Sequence, residues 1–407
     1  MFHDQFESIQ DTLSRAKIDI TELKYEIQHL ELDESKSEYS DDYRLLQVND
    51  GILNEIQTGE TELVIRGDVN DAAAICTKNK AFLLKQCETS NTILIVPECR
   101  FSKDCCDRME DGNKEGADGS ERIVNLNVIG TQHKILELIE EKRPSMKKLR
   151  AMLSENLYSG PLNESVNLIK PKYLLNDFLE RVPSSEAQLL DTLSKMRVLI
   201  IDGYYRQLHF DYLVRLYTEI TQCLDENAWS WKQFDRNRVI DIVQKEHNEP
   251  AIVLEAFLGW FGCEIVDGGD CGNWRLEEKS ICHLCAEMLL RPTNKFNMND
   301  FFNLWTESVP YGMADFAVPE QLVGLAIVQR ESRPEYVQYL PLDSLPDDME
   351  ERLSSLFRVK PKWSFDELKV YFESESVPNI GDFLMKHCRL SSGTDGRKWY
   401  TSKKNVA

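Results

Sequence analysis

The stretch CEIVDGGDCGNWRLEEKSICHLC gathers Cys263, Cys271, Cys282, Cys285 and His283 in one short window. Thiolates and imidazoles are zinc ligands, and the last two cysteines form a CxxC. A zinc ribbon needs two such knuckles, and here the first pair is separated by seven residues. In KSICHLCAEMLL, Ile281, Cys285, Met288 and Leu289 recur at helical spacing on one face. A free cysteine there packs as a small buried hydrophobe. The expectation is Cys263 and Cys271 on a hairpin, Cys282 and Cys285 opening the next helix, and no metal.

Other catalytic patterns are missing from the sequence. It holds no GxxxxGK followed by Ser or Thr, no GxGxxG after a strand, no HExxH and no GxSxG. The glycines of DGGDCGNW sit inside a hairpin rather than between a strand and a helix. His3, His29, His133, His209, His247, His283 and His387 are scattered with no positioned nucleophile. No catalytic residue and no cofactor is expected, and the protein reads as non-enzymatic.

The remaining chemistry is basic. Arg358, Lys360, Lys362, Arg389, Arg397, Lys398, Lys403 and Lys404 concentrate near the C-terminus, with Trp399 and Tyr400 between them. Cations interleaved with aromatics suit phosphate contacts beside a groove, or else form a solvated face on a protein-docking module. Residues 351–407 hold 11 Lys/Arg against 7 Asp/Glu, whereas residues 1–50 hold 13 acids against 5 bases, and the whole chain carries −21. Such acidity excludes a general nucleic-acid coat and confines any DNA contact to local patches or to partner chains. A second cluster, Lys142, Arg143, Lys147, Lys148 and Arg150, faces an acidic partner, phosphate or solvent.

Elements must position these groups. At 407 residues the chain exceeds one core. No apolar run reaches a membrane span, so no membrane partner is expected. The opening MFHDQFESIQDTL is polar and acidic, unlike a signal or transit peptide. Eleven cysteines without a framework, Cys105 and Cys106 adjacent, suit reduced thiols in cytosol or nucleus. Phe2, Phe6, Ile9, Leu13, Ala16, Ile20, Leu23, Ile27 and Leu30 follow a heptad, predicting an amphipathic helix that either docks on a partner or folds back. The acidic LELDESKSEYSDD reads as a linker. From 43 to 131, YRLLQVN, TELVIRG, AAICT, KAFLLKQ and NTILIVPE are short β-like runs, predicting a small barrel or sandwich with an edge left for another subunit. RFSKDCCDRMEDGNKEGADGSER reads as a flexible loop, and the RGD at Arg66–Asp68 as a strand running into a turn.

Beyond residue 132 the pattern is helical and repeats. Helices are expected near Ser145, Asp211, Ile281 and Pro346. Trp229, Trp231 and Phe234 match Phe296, Met298 and Phe301, then Trp363, Phe365 and Leu368, each triplet 67 residues from the last. Third helices are expected after Ser184/Ser185, Pro250, Pro319 and Pro378, each followed by a hairpin such as RVLIIDGYYRQLHF or RLSSGTDGRKWYTS. Three helices and a β-hairpin predict a winged helix, three or four times over.

With these pieces in place, the chain resembles the Dcc family, the small non-ATPase subunit of the alternative clamp loader for sister chromatid cohesion. The resemblance rests on YRLLQVN, ELVIRGD, ETSNTILIVP, RPSMKKLRAMLSENLYSGP, GYYRQLHFDYLVRL, KFNMNDFFNLWTESVPYGM, LVGLAIVQRESRPEYVQYL and LPDDMEERLSSLFRVKPKW, from about residue 43 onward. It implies an α+β multidomain chain: an N-terminal small β-barrel-like region completed by partner subunits, then a C-terminal array of winged-helix modules. The expected parts are an amphipathic helix (1–32), an acidic linker (33–42), a heterodimerisation region (43–131), modules at 132–212, 213–279 and 280–345, and a basic winged-helix-like module at 346–407. The resemblance implies nuclear localisation and pairing with a second small subunit and the large ATPase subunit. Leu63, Ile65, Ile93 and Ile95 would then be interface contacts. It further implies polymerase epsilon and primed or double-stranded DNA as partners, with PCNA served indirectly. The rival expectation is a protein–protein scaffold whose winged helices never touch DNA.

Overall fold

Caps and turns written into the sequence set most element ends. Asn49 accepts the Ile52 amide at 2.9 Å, Ser185 and Gln188 form a reciprocal capping box, and Asp235 accepts from Asn237 and Arg238. The IDGY hairpin turns on Asp202 at φ 52° and Gly203 at φ 84°, the paired positive dihedrals of a two-residue type I′ loop. A computed structural model describes residues 15, 26–32, 43–59, 62–68, 72–100, 122–141, 144–164, 170–265, 273–330, 332–372, 379–392 and 398–403.

In chain order the first elements are β1 (Glu26–Leu32), β2 (Leu45–Gln47), α1 (Asp50–Thr58), β3 (Val64–Arg66), β4 (Ala74–Cys76), β5 (Ala81–Ile95), β6 (Arg122–Val128) and β7 (Gly130–Glu141). The chain divides into two units, residues 1–62 with 82–140, and residues 63–81 with 141–407.

The first unit is built on strands. β1 lies parallel to β6, Glu26 opposite Arg122 through Leu32 opposite Val128. β2 lies parallel to β7, which is also bonded to β5. Two expectations are corrected here. The helix drawn through residue 32 does not reach it, because Glu26–Leu32 is strand. A seven-residue ladder to β6 outweighs the local helical preference of this stretch. The rest of that heptad lies outside the described residues, as does most of the loop at 101–122. No sheet among the described residues closes into a barrel. The strands are few and unequal, three residues in β2 against fifteen in β5, whereas closure needs a full ring of matched strands.

The second unit carries the other described helices. After the β3–β4 hairpin come α2 (Met146–Ser154), α3 (Pro161–Glu164), α4 (Leu175–Arg181), α5 (Glu186–Lys195), β8 (Val198–Ile201) and β9 (Tyr204–Gln207). Leu149, Phe178, Leu189 and Leu193 form their core. A second group is α6 (Phe210–Glu226), β10 (Phe234–Asp235), α7 (Arg236–His247), α8 (Ala251–Phe261), β11 (Gly262–Glu264) and β12 (Asn273–Leu276). A third is α9 (Glu278–Thr293), β13 (Lys295–Asn297), α10 (Met298–Ser308), 3-10 turns at Ala314–Phe316 and Pro319–Leu322, β14 (Ala326–Gln329) and β15 (Tyr336–Tyr339). The last is α11 (Met349–Val359), β16 (Trp363–Ser364), α12 (Phe365–Phe372), α13 (Ile380–His387), β17 (Cys388–Ser392) and β18 (Lys398–Ser402).

These last three groups repeat one order: helix, short strand, helix, third helix or 3-10 turns, hairpin. In each sheet the short strand pairs with the hairpin's second strand: β10-β12-β11, β13-β15-β14 and β16-β18-β17. The repeat's register differs from the expected triplets. Phe296, Met298 and Phe301 do match Trp363, Phe365 and Leu368: a strand residue, the first helical residue, and a buried residue in the helix. Their counterparts in the second group are Phe234, Arg236 and Val239, not Trp229, Trp231 and Phe234. The boundaries drawn at 212/213 and 279/280 also fall inside α6 and α9, each of which starts after a cap at His209 or Glu277.

The second and third groups share one core. Trp305 and Phe301 of α10 are fully buried beside Cys282 and Cys285 of α9, in a cluster that runs back to Leu216 of α6 and Phe257 of α8. The Trp305 indole donates to the Cys282 carbonyl at 2.8 Å. Tyr217 and Cys285 both donate to the Ser308 carbonyl, at 2.9 and 3.4 Å, satisfying the C-terminal turn of α10. The last group has its own core around Trp363, Leu356 and Phe372. Trp305→Ala is expected to cost about 3–5 kcal/mol, because a large cavity opens and a buried carbonyl loses its donor. Urea unfolding followed by circular dichroism measures it.

Candidate nucleic-acid interface

The C-terminal group is held in place by a pinned turn. Ser364 and Glu367 cap the start of α12 reciprocally, the Ser364 amide donating to Glu367 at 2.9 Å and the Glu367 amide to the Ser364 hydroxyl at 3.3 Å. Glu367 also accepts from Lys360 Nζ at 2.6 Å, and that ammonium lies 5.2 Å from the Trp363 ring centre. Lys360 is therefore tied within the fold. Lys403 is also engaged: its Nζ donates to the Met385 and Lys386 carbonyls at 2.8 and 2.7 Å, capping the C-terminus of α13. Arg352, counted in the basic tail, is buried and donates to the Pro346 and Tyr371 carbonyls.

Four of the expected DNA-binding residues are exposed: Arg358 in the last turn of α11, Lys362 before β16, Arg389 on β17 and Lys398 on β18. Arg397 and Lys404 lie outside the described residues. The exposed cations do not form one plane. Register pairs Arg389 with Thr401 and Leu390 with Tyr400, so alternation places Arg389 with Trp399 and Thr401 on one face of the hairpin and Lys398 with Tyr400 on the other. Arg358 borders a groove lined by Asp348, Glu350 and Glu351. Composition did not reveal that Met385 and Leu390 stand out beside these cations, at 59% and 50% exposure. The SFDE spacing at 364–367 is a capping-box signal that sequence reasoning passed over.

Two members of the second basic cluster are used inside the chain, while Lys147 is exposed. Arg150 pairs with Asp343 at 2.7 Å, and Lys148 donates to the Arg181 carbonyl with Asp68 at 3.8 Å. Lys142 and Arg143 lie outside the described residues. Of the residues expected at a subunit interface, Ile65 on β3 is 69% exposed, while Leu63, Ile93 and Ile95 are partly buried, the last two on β5.

The cysteine-rich stretch separates as its helical spacing implied. Cys263 is half-buried on β11, Cys271 lies outside the described residues, and Cys282 and Cys285 are fully buried in α9. Burial, with Cys285 and Glu278 nearby, pushes the Cys282 thiol up to about 12, and burial pushes Cys285 up to about 11. Both are neutral thiols near pH 7. Burial, reinforced by Arg197 and Lys279, pulls His283 down to about 4.

The family model described as "Sister chromatid cohesion protein Dcc1" matches residues 43–372, ending before α13, β17 and β18. The chain is 33% identical over 404 residues to sister chromatid cohesion protein DCC1 of Xenopus tropicalis, covering 98% of this chain and 99% of that protein. Its similarity to the Homo sapiens protein of the same name is 32% over 405 residues, with the same coverage. To that of Saccharomyces cerevisiae it is 24% over 379 residues, covering 87% of this chain and 95% of the other.

Two outcomes follow for this stretch. In the native protein near pH 8, Cys263 reacts with a thiol reagent while Cys282 and Cys285 react only on unfolding, which mass mapping of labelled peptides reads directly. His283, with a folded pKa of about 4 below the ordinary value near 6.5, binds its proton more readily in the unfolded chain. Its contribution is fully present above about pH 6.5 and is lost as pH falls toward 4. His283→Gln flattens that part of the stability–pH curve.

Proposed function

We propose a role from one premise, that this chain belongs to the sister chromatid cohesion protein Dcc1 family. It serves sister chromatid cohesion as a non-catalytic, nuclear subunit of an alternative clamp loader, helping to load PCNA onto primed DNA at replication forks. Its first unit assembles with a second small subunit and the large ATPase subunit. Its later groups act as winged helices that tether the loader to DNA and polymerase epsilon.

The observation that carries this reading is similarity at about one-third identity along both units of the chain, first and last residues of the family match included. Two features support its parts. Among the described residues the three core clusters all lie in the second unit, while the first exposes the single apolar side chains Leu30, Leu32, Leu53, Ile56, Leu94 and Ile139, which a partner could cover. The order of helices with a three-stranded sheet, repeated in the last three groups with 3-10 turns in place of one third helix, supports the winged-helix reading. A second reading, docking on protein without DNA, is favoured by Lys360 and Lys403 being bonded inside the fold and by Met385 and Leu390 standing out on the same module.

Binding of the full-length chain to a primed duplex, by fluorescence anisotropy, separates the two. For a DNA tether, affinity falls steeply between about 50 and 200 mM salt. Arg389→Glu with Lys398→Glu weakens it about tenfold or more at low salt, since each lost phosphate contact removes a counterion-release step. Equal binding by both proteins, or none at low salt, assigns these modules to protein docking.

A further inference from the structure

The loop after α10 displays an aromatic side chain on a fixed support. Met313 N donates to the Pro310 carbonyl at 2.9 Å, closing a β-turn with Gly312 third at φ 82°. A type II turn requires that conformation of its third residue, and glycine adopts it without strain. Tyr311 therefore occupies the tip, 99% exposed. The turn is anchored on both sides. Met313 is fully buried, and the Trp231 indole of the preceding group donates to the Tyr311 carbonyl at 3.0 Å. Trp231 also meets Phe316 edge-on, ring centres 6.3 Å apart, and Phe316 and Val318 are themselves exposed at 40% and 36%. In this group the third helix is replaced by 3-10 turns, so no α-helix is presented where a groove-reading helix would lie.

The segment itself carries charge of one sign, with a single lysine beside it, Lys232, whose Nζ lies 5.3 Å from the Trp231 ring centre. Between Lys295 and Arg330 the sequence has no lysine or arginine, and it has Asp300, Glu307, Asp315 and Glu320. Glu307, Asp315 and Glu320 are exposed on the segment that carries the aromatic tip. Phosphate would be repelled there, while an apolar side chain flanked by cations would find both contact area and opposite charge. Rigid aromatics lose little conformational entropy on binding and serve as anchors. We infer that Tyr311, Phe316 and Val318 form a docking surface for a partner protein segment whose bulky apolar residues are flanked by Lys or Arg. This surface is distinct from the basic C-terminal module and does not depend on DNA binding there.

The test uses the full-length chain and two fluorescent synthetic peptides, one with a Leu-Phe-Leu centre flanked by lysines, the other with the same centre flanked by glutamates. The lysine peptide is expected to bind saturably and the glutamate peptide at least tenfold more weakly. Tyr311→Ala is expected to weaken the lysine peptide at least tenfold, while circular dichroism and melting stay unchanged at this fully exposed position. Asp315→Lys with Glu320→Lys, which leaves the aromatics in place, should reverse the peptide preference. Equal binding of both peptides overturns the charge argument, and unchanged binding by the aromatic variant overturns the site. No saturable binding by either peptide, self-association that Tyr311→Ala abolishes, or protection of Tyr311 by duplex DNA overturns the proposed occupant.

Discussion

The burial of Trp305 against α9 is the contact on which the middle of the second unit depends. One indole fills the space between α9 and α10 and satisfies the Cys282 carbonyl in the same place. With Tyr217 of α6 and Cys285 of α9 bonded to the Ser308 carbonyl, three helices from two successive repeats are locked to one point. Directional bonds inside a dry core fix orientation more strictly than apolar contact alone, because each alternative packing strands a polar group. The second and third groups thus behave as one packed body rather than as beads on a string, and the surface between Trp231 and Tyr311 exists because of that union.

The same economy explains the basic groups. A lysine near a helix end has a local use, and Lys403 on the last carbonyls of α13 and Lys360 on Glu367 both take it. Among the described residues expected to meet DNA, those left for a partner are Arg358 at a helix end, Lys362 before β16, and Arg389 and Lys398 on two faces of a hairpin. Charge counted along the chain overstates charge presented to a ligand, since composition does not record which cations the fold employs.

Much of the architecture was legible in particular residues. Ser145, Ser185 and Pro250 each stand immediately before a helix, and the DG of IDGY makes the turn its composition demands. The resemblance drawn from long blocks such as KFNMNDFFNLWTESVPYGM agrees with the family match. The misreadings have physical causes. Trp229 and Trp231 imitated the spacing of Phe296 and Met298, but side-chain size alone does not fix register, and the short strand before the second helix begins at Phe234. Ile27 and Leu30 imitated a helical seam because a heptad and a strand share some spacings over short windows, and the partner strand that decided between them lies some ninety residues away.

The sequence by itself determined several helix caps, which turns are tight, that Cys282 and Cys285 face a core, and which family the chain joins. These are local or whole-chain properties: caps, dihedral preferences and helical periodicity act within a few residues, and kinship accumulates over hundreds. Tertiary structure alone decided that β1 pairs with β6, that the second and third groups share a core around Trp305, which lysines are left for partners, and that Tyr311 stands clear of the surface. Each depends on atoms distant in sequence meeting in space, where burial and hydrogen-bond satisfaction rather than local propensity set the free energy.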